Sequence, residues 1–137
     1  IELALELGMR RSEIANIKAE NIKGNTLAIT RAKIKPRIIP LTPKSIELMK
    51  NNLPIKMSSN AIHLSWKRIV KRHGIEDARF HDLRHEALSR MFEVKSLNLP
   101  EVQLFSGHLE PRTLMRVYAN LRPKDLANKL AKMEGAQ

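Results

Sequence analysis

The chain has 137 residues, 42% of them hydrophobic, which is enough for one domain with a buried core and too many for default disorder. Its 25 Lys and Arg against 14 Asp and Glu give a net charge of +11, so a polyanionic partner is expected, nucleic acid ahead of an anionic membrane. With no cysteine, no apolar run long enough for a transmembrane helix and no signal peptide, a disulfide scaffold, a cysteine metal site and a membrane protein are set aside, and a reducing cytoplasm is the expected location.

Residues 1–7 read as a helix with Leu3, Leu5 and Leu7 partly buried, stopped by Gly8. That helix opens without Met or a cap, so the sequence is expected to be a fragment of a longer chain. Ser12 is the expected N-cap of SEIANIKAE, whose buried face is Ile14 and Ile17. The Arg10-Arg11 pair at this junction, taken alone, reads as a solvated turn. Gly24-Asn25 then leads into a strand at Thr26–Thr30, and Arg37–Leu41 is a second strand. Between them Arg31–Pro36 forms a basic hairpin tip, which by itself reads as an edge protected by lysine.

Thr42-Pro43 opens a helix to about Asn51, with Ile46, Leu48 and Met49 on its core face. Another runs from Asn60 to about Arg72, with Ile62, Trp66, Ile69 and Val70 inside. Its last turns carry Lys67, Arg68, Lys71, Arg72 and then His73. These suit the negative helix end and serve phosphate contact equally well. From Phe80 or His81 to Phe92 the spacing of Phe80, Leu83, Ala87 and Met91 predicts one buried stripe. Leu88 and Phe92 extend the face that holds Arg84, so this guanidinium should be partly buried and in need of an anion or acceptor. A short helix follows from Pro100, closed by Gly107 with His108 next. Glu110-Pro111 opens the helix carrying Tyr118, Pro123 is expected to break it, and Lys124–Met133 is a last amphipathic helix with Leu126, Leu130 and Met133 on one side. The fold class expected is mainly α with a small antiparallel β-hairpin.

His81, His85, His108, Arg10, Arg84, a lysine of the hairpin tip and the lone Tyr118 admit three chemistries. His81 and His85 have the i, i+4 spacing used for zinc, but an arginine lies between them and there is no HExxH. A DNA-binding module without chemistry accounts for the charge and leaves the buried His/Arg face unexplained. Aromatic residues are only 4%, too few for stacking single strands, so duplex phosphates fit better. The third reading is phosphoryl transfer to tyrosine. Charge develops on non-bridging phosphate oxygens, arginine forks match those oxygens, a tyrosine needs a base or a positive site, and the departing oxygen needs a proton from lysine or histidine. No metal or other cofactor is then required.

GMRRSEI, a lysine-bearing β-turn ending PRIIPL, FHDLRHEA, SGH and the Tyr of LMRVYANL occur in this order over essentially the whole chain. In that order and spacing they resemble the tyrosine recombinase, or phage integrase, family. The resemblance implies that residues 1–137 are the catalytic domain, with the N-terminal core-binding and arm-binding domains absent. It implies site-specific recombination of double-stranded DNA through a 3′-phosphotyrosyl intermediate, with four protomers in the synaptic complex and a fragment that is monomeric alone. Residue by residue, Arg10 (rather than Arg11) and Arg84 would clamp the scissile phosphate, with Glu13 supporting Arg10. His81 would assist proton transfer, His108 would hydrogen-bond a phosphate oxygen, and Tyr118 would be the nucleophile. His85 would support the fold. The general acid would be Lys33 or Lys35, since Ala32 holds one ungapped alignment position; Lys33 is favoured. The stretch from His108 to Tyr118 is one residue longer than the commonest family pattern, with Val117 the apparent addition; on a helix that turns a side chain by about 100°. A type IB topoisomerase-like nicking-closing enzyme and a non-catalytic DNA-binding remnant are the alternatives.

Overall fold

The computed structural model describes residues 1–30, 36–107 and 112–135, the last stretch without the side chains of residues 113, 117, 118, 120–122, 124 and 125. Helix α1 (Glu2–Leu7) ends at Gly8, whose φ of 67° is the left-handed conformation that lets its amide return to the Ala4 carbonyl. Helix α2 (Arg11–Ala15) starts earlier than the expected Ser12 cap. Glu13, at the third helical position, accepts a 2.9 Å bond from the Arg10 amide, which makes Arg10 the N-cap and puts Ser12 inside the helix.

Past a 3₁₀ turn at Ala19–Asn21 the chain forms β1 (Ile22–Lys23), β2 (Thr26–Ile29) and β3 (Arg37–Pro40), an antiparallel sheet in the order β1-β2-β3. The expected hairpin is therefore three-stranded. Lys23 pairs with Thr26, so Gly24-Asn25 is a two-residue turn, and Gly24 takes the φ of 61° that such a turn needs. In β3 the side chains alternate, with Ile39 fully buried and Ile38 65% exposed. Arg37 is in register with Ile29 and lies on the same face as Ile39.

Helix α3 (Pro43–Asn52) is capped by Thr42, whose Oγ1 accepts from the Ser45 amide at 3.1 Å and donates to Glu6 of α1 at 2.7 Å. Helix α4 (Ser59–Arg72) is capped by Ser58 and packs on α2. Its expected inner residues Ile62, Trp66, Ile69 and Val70 are only half-buried. Trp66 meets Phe80 edge-on at 5.8 Å and donates to the Ala78 carbonyl at 3.0 Å.

Helix α5 (Phe80–Glu93) is the centre of the molecule, with α1, α6 (Leu99–Ser106) and α7 (Arg112–Gly135) packed around it. Phe80, Ala87, Leu88, Met91 and Phe92 fill the core with Leu7, Met9, Ile39, Met49, Val102 and Leu114. Helix α7 differs from expectation. It runs through Pro123 without a break. A proline removes one backbone donor, and here the run of strong helix formers after it (Lys124, Leu126, Ala127, Lys129, Leu130, Ala131) carries the helix on. Leu126, Leu130 and Met133 share a face as expected, but that face is 39–60% exposed.

Candidate active site

Arg84 lies on the buried stripe of α5 and is 2% exposed. Its Nη1 donates to the Gly8 carbonyl at 2.8 Å and its Nη2 to the Ser106 carbonyl at 2.5 Å. Both acceptors are helix ends, where carbonyls lack an intrahelical partner and carry negative partial charge. Close approach allows the first of these bonds. A Cβ on Gly8 would sit 3.5 Å from Leu88 and 3.6 Å from Ala87, so the end of α1 lies directly on α5. The guanidinium is held at about 9, well below the ordinary arginine value. Burial is the main cause, followed by the charge of Arg10; Glu13 opposes and Arg37 adds to the lowering. Each of these groups is thus close enough to act on Arg84.

Glu13 sits at the middle of these cations with its side chain fully buried. Its Oε1 accepts from the Arg10 amide and from Arg37 Nη2 at 3.1 Å, and its Oε2 accepts from Arg37 Nη1. The Arg10 guanidinium is a looser partner, with Nη1 3.5 Å from Oε2 and a side chain 15% exposed. Burial pushes the Glu13 carboxyl up, but the Arg37 hydrogen bond, the Arg10 amide and the charges of both arginines outweigh it and hold the group below the usual carboxylate range. Three arginines around one carboxylate leave an excess of positive charge in a poorly solvated place. That is a site suited to an added anion of phosphate geometry. Arg11 turns the other way, donating from Nε to Ser59 on α4 at 3.0 Å. The structure therefore puts Arg10, not Arg11, at the cluster.

His81 is exposed on the first turn of α5 and lies near the same charges. Partial burial, then Arg84, His85 and Arg10, lower its pKa below the ordinary imidazole value, against an opposing effect from Asp82. Its ring stands edge-on to that of His85 at 5.4 Å. Among the described residues no three His, Asp or Glu side chains gather closely enough to hold a metal ion. A shallow basic cleft leads away from the cluster, lined by Arg10, Arg11, His63, Lys67, Arg79 and His81. An adjoining apolar groove lined by Leu3, Leu48, Ile55 and Ile62 shares Trp66 and Phe80 with the cleft and lacks its cations.

Arg10, Glu13, His81, His85 and Arg84 are brought to one locality. Lys33, Lys35 and His108 lie outside the described residues, as does the side chain of Tyr118, whose backbone belongs to α7. Helix α7 itself packs on α5 and α6, and Gly107, one residue before His108, adjoins Arg37.

The phage integrase family profile matches residues 1–125. The chain belongs to that family. It is 35% identical over 138 aligned positions to a shufflon-specific DNA recombinase of Escherichia coli, covering 93% of this chain and 35% of that protein. It is 28% identical to the integrase of Salmonella phage P22, over 92% of this chain and 39% of that protein. The chain thus spans little more than a third of the length of these relatives. Among solved structures, the catalytic domain of bacteriophage HP1 integrase is 25% identical with a TM-score of 0.69, over 95% of this chain and 77% of that one. XerA recombinase shares the fold with a TM-score of 0.70 at 16% identity, over 96% of this chain and 55% of that one.

Within this integrase fold one residue of the cluster escapes sequence reasoning. Arg37 reads as part of an ordinary strand in PRIIPL. Its signal is the alternation, since two residues before buried Ile39 it must share the inward face. An inward-facing charge on a strand needs a partner, and that partner is Glu13.

Proposed function

We propose that this chain is the catalytic domain of a tyrosine site-specific recombinase, acting on double-stranded DNA in integration or excision of a phage or mobile element. The observation that carries the reading is the cluster itself. Buried Arg84 and half-buried Arg10 act on one another beside Glu13, with His81 next to them, and three arginines outnumber the one buried carboxylate they surround. The scissile phosphodiester supplies that anion. Arg10 and Arg84 hold its non-bridging oxygens, and His108 adds a hydrogen bond to one of them. The Tyr118 hydroxyl attacks phosphorus and gives up its proton with the help of His81, which is neutral near pH 7 and able to accept it. A Tyr–O–P bond forms at the 3′ phosphate as the bond to the 5′ oxygen breaks. Lys33, in preference to Lys35, protonates that oxygen. Attack by a 5′ hydroxyl reverses the step and restores a phosphodiester, so no external energy source is needed.

The basic cleft beyond Arg10 and Arg11 supports duplex binding through phosphates. Relatives of the same fold include XerH recombinase bound to a palindromic difH substrate and a lambda integrase dimer bound to a COC′ core site. Assembly as a tetramer on two duplexes follows from the same reading, and the exposed Leu126, Leu130 and Met133 face of α7 is suited to a neighbouring protomer. The described residues contain no helix long and apolar enough to cross a membrane.

The test is a pool of nicked duplexes of randomised sequence, in which cleavage near the nick traps the covalent product. An adduct that survives denaturant and disappears in Tyr118→Phe is expected. Salt-dependent duplex binding with no adduct from any member of the pool would favour the DNA-binding remnant. Relaxation of supercoiled plasmid without sequence preference would favour the topoisomerase.

A further inference from the structure

We propose that Arg37 is a positioning residue of this site: it occupies the Glu13 carboxylate so that the guanidinium of Arg10 stays free for the phosphate, and it fixes the end of α6 that leads to His108. The inference deepens the recombinase reading and rests on it. Glu13 is a buried carboxylate, which must have donors. Arg37 meets it with both terminal nitrogens, as a fork. Arg10 gives it a backbone amide at 2.9 Å but holds its guanidinium at 3.5 Å, beyond a good hydrogen bond. Both arginines are thus within ion-pairing distance, and Arg37 takes the better geometry. Remove Arg37 and Arg10 becomes the cation able to satisfy Glu13. The charge meant for the substrate then closes onto an internal acid.

The third donor of Arg37 reaches elsewhere. Its Nε donates to the Phe105 carbonyl at 3.0 Å, while Arg84 holds the next carbonyl, that of Ser106. Two of the orphan carbonyls at the end of α6 are therefore held by two arginines of the cluster. Gly107 fits this arrangement. It has φ of 64°, and a Cβ there would lie 2.7 Å from Arg37 Cδ and 2.9 Å from Nε, so the aliphatic stem of Arg37 lies against bare backbone. One side chain on β3 thereby ties the start of α2, which carries Arg10, to the residue preceding His108.

The experiment compares wild type, Arg37→Met, Arg37→Lys and the double variant Arg37→Met/Glu13→Gln. It reads inorganic phosphate affinity by calorimetry, adduct rate on nicked duplex, and the melting temperature. Arg37→Met is expected to weaken phosphate binding about tenfold or more and to slow adduct formation about 100-fold. That is the scale for removing one charge-assisted hydrogen bond to the anion and displacing one catalytic group. Arg37→Lys keeps the charge without the fork and falls between. The double variant is expected to regain phosphate affinity over Arg37→Met, because a neutral amide no longer competes for Arg10, although its melting temperature does not recover. A purely structural role predicts no such recovery. The proposal is overturned if the double variant binds phosphate no better than the single one, if both Arg37 variants match wild type, or if wild type itself binds no phosphate. Should Arg37→Met not fold, Arg37→Lys with wild-type affinity and rate overturns it. Phosphate affinities in the expected order with no adduct from wild type would instead sink the recombinase reading and leave the positioning role standing.

Discussion

Replacing Arg84 by methionine separates a catalytic guanidinium from a structural one. The substitution keeps the length of the stem and removes the donors to the Gly8 and Ser106 carbonyls. Two buried acceptors left unpaired cost roughly 1–3 kcal/mol each. Against this, burial and the charge of Arg10 hold the guanidinium at about 9, well below the ordinary arginine value, so keeping it charged in the folded chain costs on the order of 5 kcal/mol. The two effects nearly cancel, and Arg84→Met should unfold in urea within about 2 kcal/mol of wild type. Function should not cancel. Losing one of two guanidinium charges beside the developing phosphate charge is expected to slow adduct formation by about 10²–10³. Phosphate at a hundred times its wild-type Kd should stabilise wild type by about 2.7 kcal/mol and the variant by much less. A variant that loses more than about 4 kcal/mol, yet keeps the phosphate-dependent stabilisation, would refute the reasoning and make Arg84 a staple between helix ends.

Three further outcomes are expected. Lys33→Ala should slow cleavage of an ordinary duplex, while a substrate with sulfur in place of the 5′ bridging oxygen, whose leaving group needs no proton, should be cleaved at near the wild-type rate; Lys35→Ala should show neither effect, and the reverse pattern would exchange the two lysines. The lowered pKa of His81 keeps the ring neutral as pH falls through the ordinary imidazole range, so the acid limb of the adduct pH–rate profile should lie below about 6.5 and vanish in His81→Gln. The same lowering means that the unfolded chain takes up this proton first, so the His81 contribution to stability is complete above the unfolded value and declines as pH falls below it. Gly8→Ala should destabilise the chain by about 1 kcal/mol or more, measured by thermal unfolding, because φ of 67° strains any side chain even though the new Cβ would fit against Leu88 and Ala87.

The sequence reveals Arg84 because a helix repeats every three to four residues, and a charge set among Phe80, Ala87, Leu88 and Met91 stands out against that period. It reveals Gly8 and Gly107 as helix ends for the same local reason, and both adopt the left-handed conformation. Other features depend on partners distant in sequence. What holds Arg84 in place are the carbonyls of Gly8 and Ser106, 76 and 22 residues away, which no pattern within α5 can announce. Arg37 is inward by alternation, but its worth depends on Glu13, which the family resemblance offers only as the support of Arg10. β1 has two residues and is too short for any periodic signal. Pro123 reads as a stop because proline lacks a donor, yet a helix that loses one hydrogen bond can persist when its other residues favour it.

The most direct measurement is an NMR titration of selectively labelled arginine side chains with inorganic phosphate. If the two guanidiniums share one anion, the Nε–H resonances of Arg10 and Arg84 should move together along a single binding curve, and Glu13→Gln should change its midpoint. Arg10 moving with Arg84 silent, or the two following separate curves, would contradict a shared phosphate cup.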